Sequence, residues 1–376
     1  MKPPANPLQA LGFPELTEVV GLRSIAHLFG TSARRCGIYA LLLPGDRYYI
    51  GQAIDVVRRY AQHAKAREEI SGFTFLAIPK ASLDKREREL IFEAERAKLT
   101  LVNVVHVTDV EGESDLDVLL TPQKLASWLT DPFIQNADDF DANPVALSPG
   151  QIARFDQNFK KFKGHPLYGQ ATLLLFLYLE SVVPYPRTTE YSFWSVSCMP
   201  STNQSKAPRL LCVNMSVMEV FVLGYHKDPK FEGVGWAFVN VASDVLFSEY
   251  GDEQKFKKAH PDVEVRPAGY RDAGQYCVGL MVYLLDDMLK LLGDKAVARA
   301  AATMCLRLMR KRATIYSKFH CPQLVDHALS LRALQQEELD AVFDAAFPPE
   351  EDEQDGNPPV GQTGGSSKSG LPRGGA

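Results

Sequence analysis

The tripeptide Pro44-Gly45-Asp46 divides two apolar runs and leaves the chain little choice but to double back there. Before it stands Cys36-Gly37-Ile38-Tyr39-Ala40-Leu41-Leu42-Leu43, and after it Arg47-Tyr48-Tyr49-Ile50-Gly51. Proline fixes φ and glycine accepts the positive φ of a tight turn, so the segment reads as a β-hairpin. Downstream, Asp55-Val56-Val57-Arg58-Arg59-Tyr60-Ala61-Gln62-His63 has apolar residues at helical spacing with Asp55 as N-cap. That spacing sets Arg59 and His63 one turn apart on one face. Phe73 to Ile78, ahead of Pro79, reads as a third strand rich in aromatic and β-branched residues. Leu83 to Arg96 is strongly helix-forming, with no Gly or Pro until well past its end.

Gly37-Ile38-Tyr39, then Tyr49-Ile50-Gly51, then Arg59 and His63 in the following helix resemble the GIY-YIG nuclease domain. The resemblance covers about residues 35 to 105. It implies a small α/β domain, a three-stranded antiparallel sheet flanked by helices, that hydrolyses a DNA phosphodiester with one divalent metal, Mg²⁺ or Mn²⁺. It also implies a metal-binding glutamate on the later helix and an asparagine beyond it. Asn103, closing Leu101-Val102-Asn103, matches the asparagine. Glu87 stands before the apolar pair Leu90-Ile91 as family glutamates do, while Glu93 has the shorter distance to Asn103; Glu87 is preferred and Glu93 is the alternative.

Each residue type suits phosphodiester chemistry. Charge building on the phosphoryl oxygens must be neutralised and a water activated in line with the leaving oxygen. Arg59 offers a permanent guanidinium able to hold two oxygens. Glu87 would bind a hard divalent ion through oxygen, leaving other positions to water and phosphate. By the resemblance Tyr39 is the general base or water-orienting group, an ordinary phenol being a poor base unless its phenolate is stabilised. Tyr49 and His63 would contact phosphate or help a proton reach the leaving group. Singly, each has a plainer explanation: strand tyrosines pack, and the glutamates around Glu87 alternate with Lys85, Arg86, Arg88 and Arg96 as on any solvated helix. The conjunction of six positions in order carries the functional reading.

The chain has 376 residues, 45% of them hydrophobic, enough for two domains with real cores. Its six cysteines show no CxxC spacing, so neither a zinc site nor a disulfide scaffold is indicated and a reducing cytoplasm is expected. The apolar runs at 171–179 and 278–285 are far short of a membrane span, and Met1 to Pro7 lacks a signal-peptide core. No membrane association is expected. Net charge is −5, yet Arg34, Arg35, Arg47, Arg58, Arg59, Lys65 and Arg67 make the nuclease-like stretch basic, with Arg58 and Lys65 as nucleic-acid contacts.

The expected organisation is an N-terminal extension (1–35), the nuclease-like domain (36–108), a linker with a helix (109–150), a C-terminal α+β domain (151–347) and a disordered acidic, then Gly/Ser-rich tail (348–376). Leu22 to Gly30 reads as a short helix, Val104 to Val107 as an added strand, and Thr121 to Leu129 as a helix. The second half reads as a helix at 171–182, strands at 191–199, 209–215, 218–225 and 235–241, and helices at 276–292, 295–312, 321–329 and 335–347. The fold class is therefore α+β: the small nuclease-like domain plus a second domain with a small sheet and long helices. Arg307, Arg310, Lys311 and Arg312, near Tyr316 and Phe319, form a second candidate nucleic-acid surface. The function expected is a metal-dependent endonuclease acting on DNA, RNA not being excluded, with the C-terminal domain selecting substrate or partner. The alternative is an inactive DNA-binding or scaffolding protein that retains the fold.

Overall fold

A computed structural model of the chain describes residues 6–30, 32–66, 69–110, 112–132, 136, 139, 148–202, 207–231, 233–334 and 336–348. The tail beyond 348 and most of the expected boundary at 136–150 lie outside the described residues. The architecture is mixed α+β, with a five-stranded and a six-stranded sheet among the described residues.

The N-terminal unit runs α1 (Pro7–Ala10), β1 (Thr17–Glu18), β2 (Gly37–Leu43), β3 (Arg47–Ala53), α2 (Val56–Ala66), β4 (Gly72–Ala77), α3 (Leu83–Arg96) and β5 (Thr100–Leu101), and α4 (Pro122–Thr130) follows it. Gly45 and Asp46 take φ of +74° and +54°, and Leu43 pairs with Arg47, so the turn is the hairpin its residues demand. Asp55 caps α2 by accepting from the backbone N–H groups of Val57 and Arg58. The strand order is β1-β4-β2-β3-β5. Three antiparallel strands form its centre, and the two-residue strands β1 and β5, absent from the sequence expectation, extend its edges.

Alternation along the strands gives the sheet two apolar faces. Tyr39, Leu41, Ala53 and Phe73 pack with Val56 and Tyr60 of α2, whereas Ile38, Ala40, Tyr48 and Ile50 pack with Leu83, Leu90 and Ile91 of α3. Residues 104–107 are not a strand: His106 has φ +71° and its N–H donates to Arg271 O, turning this segment onto the second unit. Of 22–30, only Ala26–Leu28 winds, as a single 3₁₀ turn.

The C-terminal unit comprises α5 (Pro149–Lys163), α6 (Tyr168–Val182), α7 (Pro186–Thr189), β6 (Trp194–Cys198), β7 (Arg209–Met215), β8 (Met218–Tyr225), β9 (Gly235–Ala242), α8 (Ser243–Tyr250), α9 (Glu253–Ala259), β10 (Glu264–Pro267), β11 (Cys277–Val282), α10 (Leu285–Gly293), α11 (Lys295–Lys311), α12 (Pro322–Ser330) and α13 (Gln336–Ala346). Its antiparallel sheet has the order β10-β11-β9-β8-β7-β6. Helices α6 and α11 cover one face, where Tyr178 stacks on Phe221 with centroids 4.4 Å apart. The helix expected over 276–292 is instead β11 followed by α10: Cys277 to Val282 pairs with β9 and β10 on its two sides, and sheet pairing overrides an ambiguous apolar run. Leu116, Leu120, Leu125 and Trp128 pack in this second core, so the helix expected in a linker belongs to the C-terminal unit. No helix of the described residues is long and apolar enough to cross a membrane.

Candidate active site

Both tripeptide glycines sit where a side chain would not fit. A Cβ on Gly37 would lie 1.9 Å from Leu76 O, a backbone atom of the neighbouring strand. A Cβ on Gly51 would lie 2.8 Å from the Tyr39 hydroxyl and 2.7 Å from Tyr49 Cε1. Tyr39 and Gly51 are partners across β2 and β3, so the missing side chain opens the space that the two phenols occupy.

Above Gly51 the α2 face gathers four of the expected residues. The Tyr39 hydroxyl lies 2.7 Å from His63 Nε2, and Arg59 Nε donates to the same hydroxyl at 3.4 Å. The Tyr49 ring packs against His63 and Tyr39, with centroids 4.9 and 6.0 Å away. The one-turn spacing on α2 allows Arg59 and His63 to reach one phenol. Tyr39 is buried, while Arg59 is exposed and Tyr49 and His63 are half-buried, so the phenol meets solvent through its partners. Burial and the neighbouring Tyr49 phenol push Tyr39 up from the ordinary phenol value, opposed by Arg59. Arg59 keeps a second partner in Gln62.

Glu87 reaches the adjacent residue from the other face. Its Oε1 accepts from Gln52 N at 3.1 Å and its Oε2 from Gln52 Nε2 at 3.0 Å. Gln52 Nε2 also donates to Asp84 Oδ1 at 2.6 Å, and Asp84 pairs with Arg271 of the second unit at 3.2 Å. Chaining the contacts at Gly51 and Gln52 puts the Glu87 carboxylate within about 10 Å of the Tyr39 hydroxyl. Burial raises Glu87 above its ordinary value, against the lowering by both Gln52 hydrogen bonds. Glu93 stands apart, 3.7 Å from Arg86. Geometry therefore favours Glu87 over Glu93 beside the tripeptide.

Asn103 is placed differently from the expectation of a catalytic role. It is buried, its Oδ1 accepts from Ile50 N at 3.0 Å and its Nδ2 donates to Ile50 O at 2.7 Å. Past Leu101 the parallel pairing of β5 with β3 ends, and this carboxamide continues it as a surrogate strand. Asn103 thus positions β3, two residues from Gln52, with both ends of its carboxamide bonded to the Ile50 backbone.

The basic cluster of the second half is also redirected. Arg307 pairs with Asp244 and Asp109, Arg310 with Asp117, and Arg312 with Asp272. Lys311 is buried and donates to the backbone carbonyls of Val107 and Asp272. Lys311 thus joins the two units, Arg307 and Arg310 hold the connecting segment at Asp109 and Asp117, and Arg312 pairs within the C-terminal unit, so each of the four is engaged by protein groups. Arg58 and Lys65 are exposed on α2 and make no ion pair among the described residues.

The sequence reading missed Gln52, Asp84, His106 and Arg271. Gln52 directly follows Gly51, which was a usable signal; His106 and Arg271 become neighbours only through tertiary folding. His106 Nε2 lies 4.0 Å from Glu87 Oε2. Burial and the Arg271 and Arg88 guanidiniums push His106 down to about 4, so at neutral pH the two are neighbours and not an ion pair.

Among the described residues no cluster of three or more His, Cys, Asp or Glu could enclose a metal. A hard ion that keeps most of its waters needs only one or two carboxylates, and each Glu87 oxygen retains a lone pair beyond its bond to Gln52. The donor chemistry fits Mg²⁺ or Mn²⁺ on that basis. No protein-family model matches the chain, and no curated protein or solved structure matches it.

Proposed function

We propose that this chain is a divalent-metal-dependent endonuclease of the GIY-YIG type that hydrolyses DNA phosphodiester bonds, its three central antiparallel strands being that domain's sheet. The observation that carries the reading is the convergence of Tyr39, Tyr49, Arg59 and His63 over Gly51, with the Glu87 carboxylate beside Gln52. Four groups on three elements meeting at a glycine that must lack a side chain are more than packing requires.

The hydrogen bonds suggest an order of proton movement. Arg59 Nε–H donates to the Tyr39 oxygen, leaving the Tyr39 O–H to donate to His63 Nε2. A water activated at Tyr39 passes its proton to the phenol oxygen as the phenol proton moves to His63, so no free phenolate is needed despite the raised pKa. Arg59, the exposed member, binds the phosphoryl oxygens, and Tyr49 orients the strand against His63. A Mg²⁺ or Mn²⁺ ion held by Glu87 would supply charge neutralisation at the phosphoryl and leaving oxygens. The six free thiols suit a reducing cytoplasm, where we place the activity.

Nicking of supercoiled plasmid in Mg²⁺ or Mn²⁺ tests this. Arg59→Ala and Glu87→Ala should each slow nicking by about 10²-fold or more. Equal rates in the three proteins, or no nicking by the wild type with either metal, would reject catalysis and favour a DNA-binding scaffold.

A further inference from the structure

A cleft of about 370 Å³ lies where α3 meets the segment between β10 and β11. Its lining includes Arg88, Phe92, His106, Tyr270, Arg271 and Gln275. Arg88 and Phe92 stand one turn apart on α3 and so share a face. Arg88 is exposed and has no ion-pair partner among the described residues, while Arg271 is tied only to the exposed Asp84. The Gln275 amide nitrogen donates to Glu95 at 3.0 Å, and its carbonyl oxygen accepts no hydrogen bond from any described residue. Glu253, the one carboxylate in this lining, is exposed to solvent, where its charge is screened.

Two guanidiniums, two aromatic rings and a free amide oxygen match the parts of a nucleotide: an anionic phosphate, a flat π-face and a base edge with donors. The volume is far larger than a phosphate alone and falls at the small end of the roughly 300–1,000 Å³ range of ligand pockets. The cleft also adjoins the proposed site, since His106 lines it 4.0 Å from Glu87 and Arg271 reaches Asp84, which shares Gln52 with Glu87.

We propose that this inter-unit cleft holds one nucleotide, its phosphate between Arg88 and Arg271 and its base against Phe92 and Tyr270. The inference deepens the nuclease reading and rests on it for the claim that the nucleotide belongs to the strand being cut. The C-terminal unit then acts in substrate selection through Arg271, Tyr270 and Gln275, and not through the basic end of α11.

The test measures binding without cleavage. Fluorescence anisotropy of a fluorescein-labelled oligothymidylate in EDTA is compared for the full chain, Arg88→Ala/Arg271→Ala, Phe92→Leu and a distal arginine control, Arg299→Ala. Arg299 is paired with Glu249 and lies outside the cleft lining. The double variant should bind at least tenfold more weakly than the control, and Phe92→Leu at least threefold, with melting temperatures unchanged. Arg88→Gln alone should weaken binding about threefold and serves if loss of Arg271 disturbs the join between the units. Added dAMP distinguishes the source: competition that disappears in the double variant assigns the cleft to free nucleotide as well as strand, and its absence assigns it to strand alone. Binding within twofold of the control in the double variant and in Phe92→Leu overturns the proposal. Wild-type binding lost in the double variant, with no nicking by the wild type in either metal, would sink the nuclease reading and leave the cleft standing.

Discussion

The two tripeptide glycines are not equivalent, and substituting each separates folding from chemistry. At Gly37 the added methyl would meet a backbone carbonyl, which can yield only by moving β4, so Gly37→Ala should cost about 3 kcal/mol or prevent folding. At Gly51 it would meet the ends of two tyrosine side chains. Gly51→Ala should therefore lose about 1–2 kcal/mol by urea denaturation yet lose nearly all nicking, because the phenols must leave their positions. Equal losses of stability in the two variants would show that the Gly51 cleft is ordinary packing. His106 carries a pH signature at the same scale. Its folded pKa, about 4, lies below the ordinary 6.5, so between those values the folded chain binds fewer protons than the unfolded one. Its contribution is complete above pH 6.5 and is lost as pH falls toward 4, on the order of 2–3 kcal/mol. His106→Asn keeps the residue's tolerance for positive φ and should flatten that decline in chemical denaturation at pH 4 to 6.5. Glycines and tyrosines in literal tripeptides were legible in the sequence; His106 was not, because nothing local marks a residue whose environment comes from Arg271, 165 positions along the chain.

Elements with strong local signals were readable and those defined by partners were not. The hairpin, α2 with its Asp55 cap, and α3 follow from turn chemistry, capping and periodicity within single segments. Strand β11 was read as helix because a short apolar run has no period of its own, and only β9 and β10 on its flanks decide it. Strands β1 and β5, two residues each, carry too little sequence to announce themselves. The brevity of β5 explains Asn103, whose side chain supplies the next rung of the ladder. Asn103→Ala would leave the buried N–H and C=O of Ile50 without partners, a loss of about 2–4 kcal/mol. Hydrogen exchange should then show Ile50 and Gln52 amides opening ahead of β2. Unchanged protection at both would mean that the parallel edge holds without the carboxamide.

At the scale of the whole molecule, α11 fastens the two units, and this reverses what its basic end suggested. A run of cations at a helix C-terminus looks like a solvated or phosphate-binding surface, but Asp109, Asp117, Asp244 and Asp272 approach it from segments distant in sequence. Lys311 is the buried centre of this join, held by the Val107 and Asp272 carbonyls. Burial pushes its pKa down to about 8, with Asp272, Glu95 and Asp109 pulling upward and Arg307 downward. Below pH 8 the lysine is charged in folded and unfolded chains alike and bears its full desolvation penalty. Between pH 8 and the ordinary 10.5 the folded chain binds fewer protons, so this residue's contribution to stability rises with pH by up to about 3 kcal/mol. Neutral lysine still has two N–H groups for its two carbonyls, so relief of the charge does not break the join. Lys311→Met leaves both carbonyls unsatisfied and has no proton to lose. The stability gap between wild type and Lys311→Met, measured by urea denaturation, should therefore widen from pH 8 to 10.5. Calorimetry of the variant should also resolve the N-terminal unit melting ahead of the C-terminal one. A gap that stays constant with pH would place the charge of Lys311 in solvent, and with it would fall the account of α11 as the element that fastens the two units.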